Sequence, residues 1–156
     1  MQQHRVLFVC HGNICRSTMA ESVFTELVRQ AGRSDEFIID SAATSTEEIG
    51  NSPHYGTVTK LRQMGVPLVP HRARQVRGDE YSDWDLIIGM DNANIRNLRR
   101  IFKHEPEAQA DSCAKVIKLL SLAGSDRDVA DPWYTCNFDV TYEDVLAGCE
   151  ALLKQL

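Results

Sequence analysis

This chain has no C-x-x-C pair, no long apolar run and no excess of positive charge, and each absence removes a class of function. Its five cysteines (Cys10, Cys15, Cys113, Cys136 and Cys149) are odd in number and scattered. That argues against a zinc site or a disulfide scaffold and suits reduced thiols in the cytoplasm. No stretch approaches the roughly 20 apolar residues of a membrane helix. The N-terminal Met1-Gln2-Gln3-His4-Arg5 leads directly into a strand pattern, so no secretory leader is expected. A net charge of −5 argues against bulk binding to nucleic acid. No repeat, low-complexity tract or linker interrupts the chain. With 43% apolar and 25% charged residues, the 156 residues fit one domain, 1–156, with a sizeable core.

What is present concentrates near the N-terminus. Val6-Leu7-Phe8-Val9 is an unbroken apolar run, as in a parallel strand buried on both faces. Met19, Ala20, Val23, Phe24, Leu27 and Val28 recur at the spacing of one helix face. Between them lies a short loop with Cys10 and Arg16 in the pattern C-x5-R. A strand that feeds a loop opening a helix is a ready anion site, because loop amides and the helix dipole both offer positive charge. Cys10 would sit at the base of a ring of amides, where the positive field favours thiolate over thiol. Arg16 can hold two phosphate oxygens with its planar fork. Gly12 and Asn13 are residue types that tolerate φ > 0, which a curled loop needs. The Ser17 hydroxyl can reach the thiolate. Thiolate, amide cradle and guanidinium together describe phosphoryl transfer to cysteine. No G-K-[ST] follows the glycine, so the loop is not a Walker A motif.

The sequence Val-Cys-His-Gly-Asn-Ile-Cys-Arg-Ser at 9–17 resembles the signature loop of the low-molecular-weight protein tyrosine phosphatases. The resemblance extends, in order and spacing, through Asp40-Ser41-Ala42-Ala43-Thr44, His71-Arg72-Ala73-Arg74-Gln75, Met90-Asp91 and Asp131-Pro132-Trp133. It implies a phosphate-binding loop of His11, Gly12, Asn13, Ile14, Cys15, Arg16 and Ser17. It implies Cys10 as nucleophile and Asp131 as general acid, acting on phosphotyrosine in a protein substrate through a phosphocysteine. It implies supporting roles for Ser41 and His71 toward Asn13, and for Asp91 toward Arg16. Cys15 would be able to pair with Cys10 on oxidation. The crevice walls would be Glu47, Trp133 and Tyr134. The family usually has an aromatic residue where Thr46-Glu47-Glu48 stands here, and this departure bears on peptide preference. No metal or other cofactor is implied, inorganic phosphate or vanadate would inhibit, and a monomer is expected.

The residues alone leave some of these roles open. Ser41 can brace the site or simply turn a strand end, Cys15 can be a small packing residue, and Asp131-Pro132 can be only a turn starter. A lone histidine such as His71 is most simply a hydrogen-bonded structural residue. Arg72, Arg74 and Arg77 read as a solvated basic run that could alternatively assist an acidic ligand.

Further strands are expected at Phe37–Ser41, Leu86–Met90 and Ala114–Leu120. Ser52-Pro53 predicts a helix start, with Tyr55, Val58, Leu61 and Met64 facing inward and Gly65 at its end. Asp91 should cap a helix that buries Ile95, Leu98 and Phe102. A long polar loop is expected over 121–140, then a helix capped by Thr141 and Asp144 with Tyr142, Val145, Cys149, Leu152 and Leu156 buried. Alternating strands and helices call for an α/β fold: a three-layer, flavodoxin-like domain with a four-stranded parallel sheet. The resemblance adds the strand order 2-1-3-4.

Three other readings compete. An arsenate reductase on the same fold needs a resolving cysteine near the third strand, and residues 79–91 hold none. Protein arginine phosphatases of this kind have threonine where this chain has Ile14. A non-catalytic phosphate-binding module would need neither a thiolate nor an acid.

Overall fold

The computed structural model describes residues 2–156. Four strands form one parallel sheet: β1 (His4–Cys10), β2 (Phe37–Ala43), β3 (Leu86–Gly89) and β4 (Val116–Lys118), in the order β2-β1-β3-β4. Successive side chains of a strand point to opposite faces, and β1 shows the consequence. Val6 and Phe8 enter one core, with Phe24, Met90, Val145 and Leu152. Leu7 and Val9 enter the other, with Tyr81, Ile87, Leu98 and Phe102. All four β1 residues are fully buried, as the unbroken apolar run requires. Truncating one of them to alanine would cost about 2–5 kcal/mol.

Six helices surround the sheet: α1 (Arg16–Gln30), α2 (Tyr55–Gln63), α3 (Asn92–Ile101), α4 (Pro106–Asp111), α5 (Pro132–Thr135) and α6 (Phe138–Gln155). No helix among the described residues is long and apolar enough to cross a membrane. Helix α1 is buried all round over its first nine residues, Arg16 to Phe24, rather than along a single face. It is held between the sheet and α6. It ends as Ala31-Gly32 predicts, with Gly32 at φ +70°.

Several elements differ from expectation, among them β4, which is shorter than the expected Ala114–Leu120 because the chain turns from Leu119 onward. Helix α2 starts at Tyr55, not after Ser52, because the His54 ring accepts the amide of Gly56 through Nδ1 at 3.0 Å and so acts as the cap. Its buried side is Thr57 and Leu61, while Tyr55 and Met64 are exposed. Helix α6 starts at Phe138, because Asn137 accepts the Val140 amide at 3.2 Å. Thr141 therefore lies inside the helix and donates to the carbonyls of Ala130 and Asn137, while Asp144 pairs with Arg127. The presumed loop over 121–140 thus contains α5 and the start of α6. Helix α4 was unforeseen; it begins with Pro106 at its first position and ends at Ser112 with φ +56°.

The site lies where chain order reverses across the sheet. β1 is flanked by β2 on one side and β3 on the other, and the connections from those strands leave in opposite directions. A crevice opens at the carboxyl ends of strands at such a point.

Candidate active site

The loop from Cys10 to Arg16 curls at the end of β1 because its carbonyls are held outward. The Cys10 carbonyl accepts the Thr44 amide at 3.0 Å, and the His11 carbonyl accepts the Ser45 amide at 3.1 Å. The Ile14 carbonyl accepts the His54 amide at 2.8 Å, and the Cys15 carbonyl accepts the Thr57 hydroxyl at 3.3 Å. In a planar trans peptide the following amide points the opposite way, so these bonds turn amides toward the loop's interior. The Asn13 amide donates directly to Cys10 Sγ at 3.3 Å.

Asn13 takes φ +61°, and its side chain holds it there. Its Nδ2 donates to Ser17 Oγ at 2.8 Å and Ser41 Oγ at 3.0 Å. Its Oδ1 accepts the Arg74 amide at 3.2 Å and lies 2.7 Å from His71 Nε2. This arrangement fixes the protons nearby. An amide oxygen only accepts, so His71 carries its hydrogen on Nε2. Ser17 accepts from Asn13, so its own hydrogen is free for Cys10 Sγ, 3.0 Å away. Ser41 likewise donates onward to Glu21 Oε1 at 2.6 Å. Cys10 thus receives two hydrogen bonds, and Ser41 and His71 both contact the Asn13 side chain.

Gly12 departs from expectation: it is not at positive φ. A Cβ there would lie 3.3 Å from Glu48 Cγ, a close contact that a small shift of that side chain relieves.

Behind Asn13 lies a buried charged network. Burial pushes the Glu21 carboxyl up to about 7, against relief from the Ser41 hydrogen bond. Burial also lowers the pKa of His71, favouring the neutral ring. Glu21, Asp40 and His71 each place a donor atom within 4.8 Å of the others, a spacing that could hold a cation. Those donors already serve Ser41, Arg74 and Asn13. Arg74 also pairs with Glu80 and Arg77 with Asp79, while Arg72 donates to the Gly50 carbonyl, so two of the three arginines of the basic run are neutralised within the fold.

Arg16 is nearly fully buried. Its Nη1 donates to Asp91 Oδ2 at 2.8 Å and the Val129 carbonyl at 3.0 Å, and its Nη2 lies 3.4 Å from Asp131 Oδ2. Burial opposes its charge, but Cys10, Asp131 and Asp91 outweigh that and raise its pKa. Asp91 contacts both groups named for it, since its Oδ1 also caps α3 by accepting the Asn94 amide at 2.7 Å. Asp131 caps α5, accepting the Trp133 amide through Oδ1 at 3.0 Å and leaving Oδ2 toward Arg16. The Val129 amide donates to the Met90 carbonyl at 2.8 Å, which ties this segment to the end of β3.

Cys10, Arg16, Asp131 and Trp133 line one small cavity of about 60 Å³ with His11, Gly12, Ile14, Cys15, Glu47 and Glu48. That is room at the floor for a compact anion. Glu47 meets His11 Nε2 at 3.0 Å at the exposed mouth. Tyr134 does not join the lining and is 83% exposed. Cys15 lines the cavity but is also packed with Ile14 and Ala73, and burial pushes its thiol up to about 12. Glu21, Arg74 and Glu80 escaped sequence reasoning as members of the site's support. The available signal was weak, since Glu21 is one of two carboxylates in a helix that also carries serines and threonines.

A sequence profile of the family described as low molecular weight phosphotyrosine protein phosphatase matches residues 5–156. The chain is 40% identical to the mouse enzyme of that name over 154 residues, covering 96% of this chain and 94% of the relative. Its fold superposes on the crystal structure of YfkJ from Bacillus subtilis with a TM-score of 0.91, 39% identity and coverage of 99% and 95% of the two chains. The crystal structure of DARP, a Drosophila arginine phosphatase, is also similar, with a TM-score of 0.81, 31% identity and coverage of 96% of each chain.

Proposed function

This chain belongs to the low molecular weight phosphotyrosine protein phosphatase family, and from that premise we propose how its residues divide the hydrolysis of phosphotyrosine in proteins. The observation that carries the proposal is the convergence of Cys10, Arg16 and Asp131 on one small cavity, with two hydrogen bonds directed at Cys10 Sγ.

Cys10 thiolate attacks phosphorus, and the S–P bond forms as the bond to the tyrosine oxygen breaks. Arg16 and the inward amides hold the equatorial oxygens, where transition-state charge collects. Asp91 keeps the Arg16 fork in place. Asp131 gives its proton to the leaving phenolate, then takes one from the water that cleaves the phosphocysteine. The Ser17 hydroxyl stabilises Cys10 sulfur as nucleophile and again as leaving group. Trp133 offers a face for the substrate ring. Arg16, the amides and the helix dipole supply the charge compensation, so the chemistry assigns no metal or organic cofactor a role. Inorganic phosphate and vanadate, which match the same cradle, inhibit.

Residues 1–156 act as one phosphatase domain, a reading supported by the family match over 5–156. A cytoplasmic setting fits the scattered, unpaired cysteines. Glu47 and Glu48 make one side of the mouth acidic, which suits substrates with basic flanks.

The test is an assay in chelator-treated buffer comparing phosphotyrosine, phosphoserine and phosphoarginine peptides, with arsenate reduction measured alongside. Hydrolysis of phosphotyrosine at least tenfold above the others is expected. Preference for phosphoarginine, or reduction of arsenate, would replace the proposal.

A further inference from the structure

Next to the catalytic cavity, with Trp133 as the shared wall, lies a much larger cleft of about 540 Å³. It opens between the start of α2 and the junction of α5 with α6. Four of its twelve lining residues carry aromatic rings, and these rings form one cluster. The His54 ring stacks 4.4 Å from Tyr55 and 5.6 Å from Phe138, and meets Trp133 edge-on at 5.9 Å. Phe138 lies directly on Gly56, where an added Cβ would be 2.3 Å from the ring. Only glycine there lets the ring sit this low.

Charge in the cleft cancels. Lys60 Nζ meets Asp139 Oδ1 at 2.6 Å. With this pair formed, the cleft offers an occupant its aromatic faces rather than an unpaired lysine or aspartate. Trp133 is 59% exposed and Tyr55 79%, so a large aromatic area stands in water beside the site. Covering it with an apolar side chain is favourable.

Continuity with the catalytic cavity identifies the occupant. A phosphotyrosine with its phosphate on the Cys10 loop must bring its ring out past Trp133, and its neighbours in the chain emerge where the cleft begins. We propose that this cleft is a substrate subsite for a large apolar or aromatic side chain close to phosphotyrosine in the protein substrate. The inference rests on the phosphotyrosine reading above, and it makes recognition two-part, with acidic Glu47 and Glu48 on the catalytic cavity and an aromatic cleft of balanced charge beyond Trp133.

The experiment is a scan of phosphotyrosine peptides in an alanine background. Phenylalanine, and separately lysine, is placed in turn at each of three positions on either side. Phenylalanine at one position should raise kcat/KM roughly tenfold over alanine, and lysine at that position should not. Thr59→Trp and Gln63→Trp, two exposed positions on the cleft wall, should each return the favoured peptide to the alanine level. Free phosphotyrosine is assayed in every preparation. Turnover of free phosphotyrosine with a flat peptide profile would overturn the subsite and leave the phosphatase reading standing. Absence of that turnover in the unmodified protein would overturn both. A phenylalanine preference that survives both tryptophan substitutions would also overturn the subsite.

Discussion

Replacing Asn13 by alanine and by glycine separates the two things its side chain does. The residue is fully buried at φ +61°, and its amide group takes part in four hydrogen bonds, with Ser17, Ser41, His71 and Arg74. Both substitutions delete those bonds, at about 1 kcal/mol net for each, so about 4 kcal/mol in all. Alanine additionally carries about 1 kcal/mol for a Cβ in left-handed backbone, and glycine does not. Asn13→Ala should therefore be less stable than the parent by about 5 kcal/mol and Asn13→Gly by about 4. For a chain of this size, the glycine variant should melt roughly 2–4 °C above the alanine variant. Denaturant titration and thermal melting at fixed pH measure both differences. Aryl phosphate turnover should drop at least tenfold in each, because the Asn13 amide no longer holds its place under Cys10. Two results would refute the reasoning. One is alanine equal to or better than glycine, which would mean the loop adopts another backbone. The other is a loss below about 1 kcal/mol in both, which would mean that the network does not hold the loop.

Further outcomes follow from the same geometry. Asp131→Asn should slow hydrolysis of phosphotyrosine more than that of para-nitrophenyl phosphate, because the more basic phenolate gains more from a proton as it leaves; equal slowing of the two would move the acid role elsewhere. Glu21 binds its proton more tightly when folded, up to about 7 against an ordinary 4.5, so its contribution to stability is lost as pH rises through that interval. Glu21→Gln should therefore gain about 2–3 kcal/mol relative to the parent between pH 5 and pH 8, read from denaturant midpoints, and a pH-independent difference would contradict the assignment. With its thiol held up at about 12, Cys15 should resist alkylation at pH 7 while Cys10 reacts, and phosphate should protect Cys10. Peptide mapping that finds Cys15 modified first would contradict this.

The parts of the fold written in local pattern were legible from the residues. The apolar run of β1, the C-x5-R loop with Asn13 inside it, and the Asp91 cap of α3 depend on near neighbours, and their expected positions match the structure. The sheet order needed the resemblance, since nothing local to β2 or β3 says which side of β1 it takes. The misplaced starts of α2 and α6 have a shared cause. His54 and Asn137 cap through their side chains, and each stands within four residues of a Ser or Thr that is a more common cap. The supporting network was the least legible part. Asn13 reaches Arg74 across 61 positions and Arg16 reaches Asp131 across 115, so no spacing announces either contact. The resemblance implies both Trp133 and Tyr134 as crevice walls, but a single turn of α5 points the two side chains differently, and only Trp133 reaches the cavity.

Transfer of a phosphoryl group to Cys10 is the claim on which the account depends, and trapping that intermediate tests it most directly. The protein is mixed with an aryl phosphate, quenched in acid within its first turnovers, digested and mapped by mass spectrometry. The account predicts one added phosphoryl group on the peptide that contains Cys10, none in Cys10→Ser, and no turnover by that variant although it still binds vanadate. Phosphate found on any other residue, or undiminished turnover by Cys10→Ser, would contradict it.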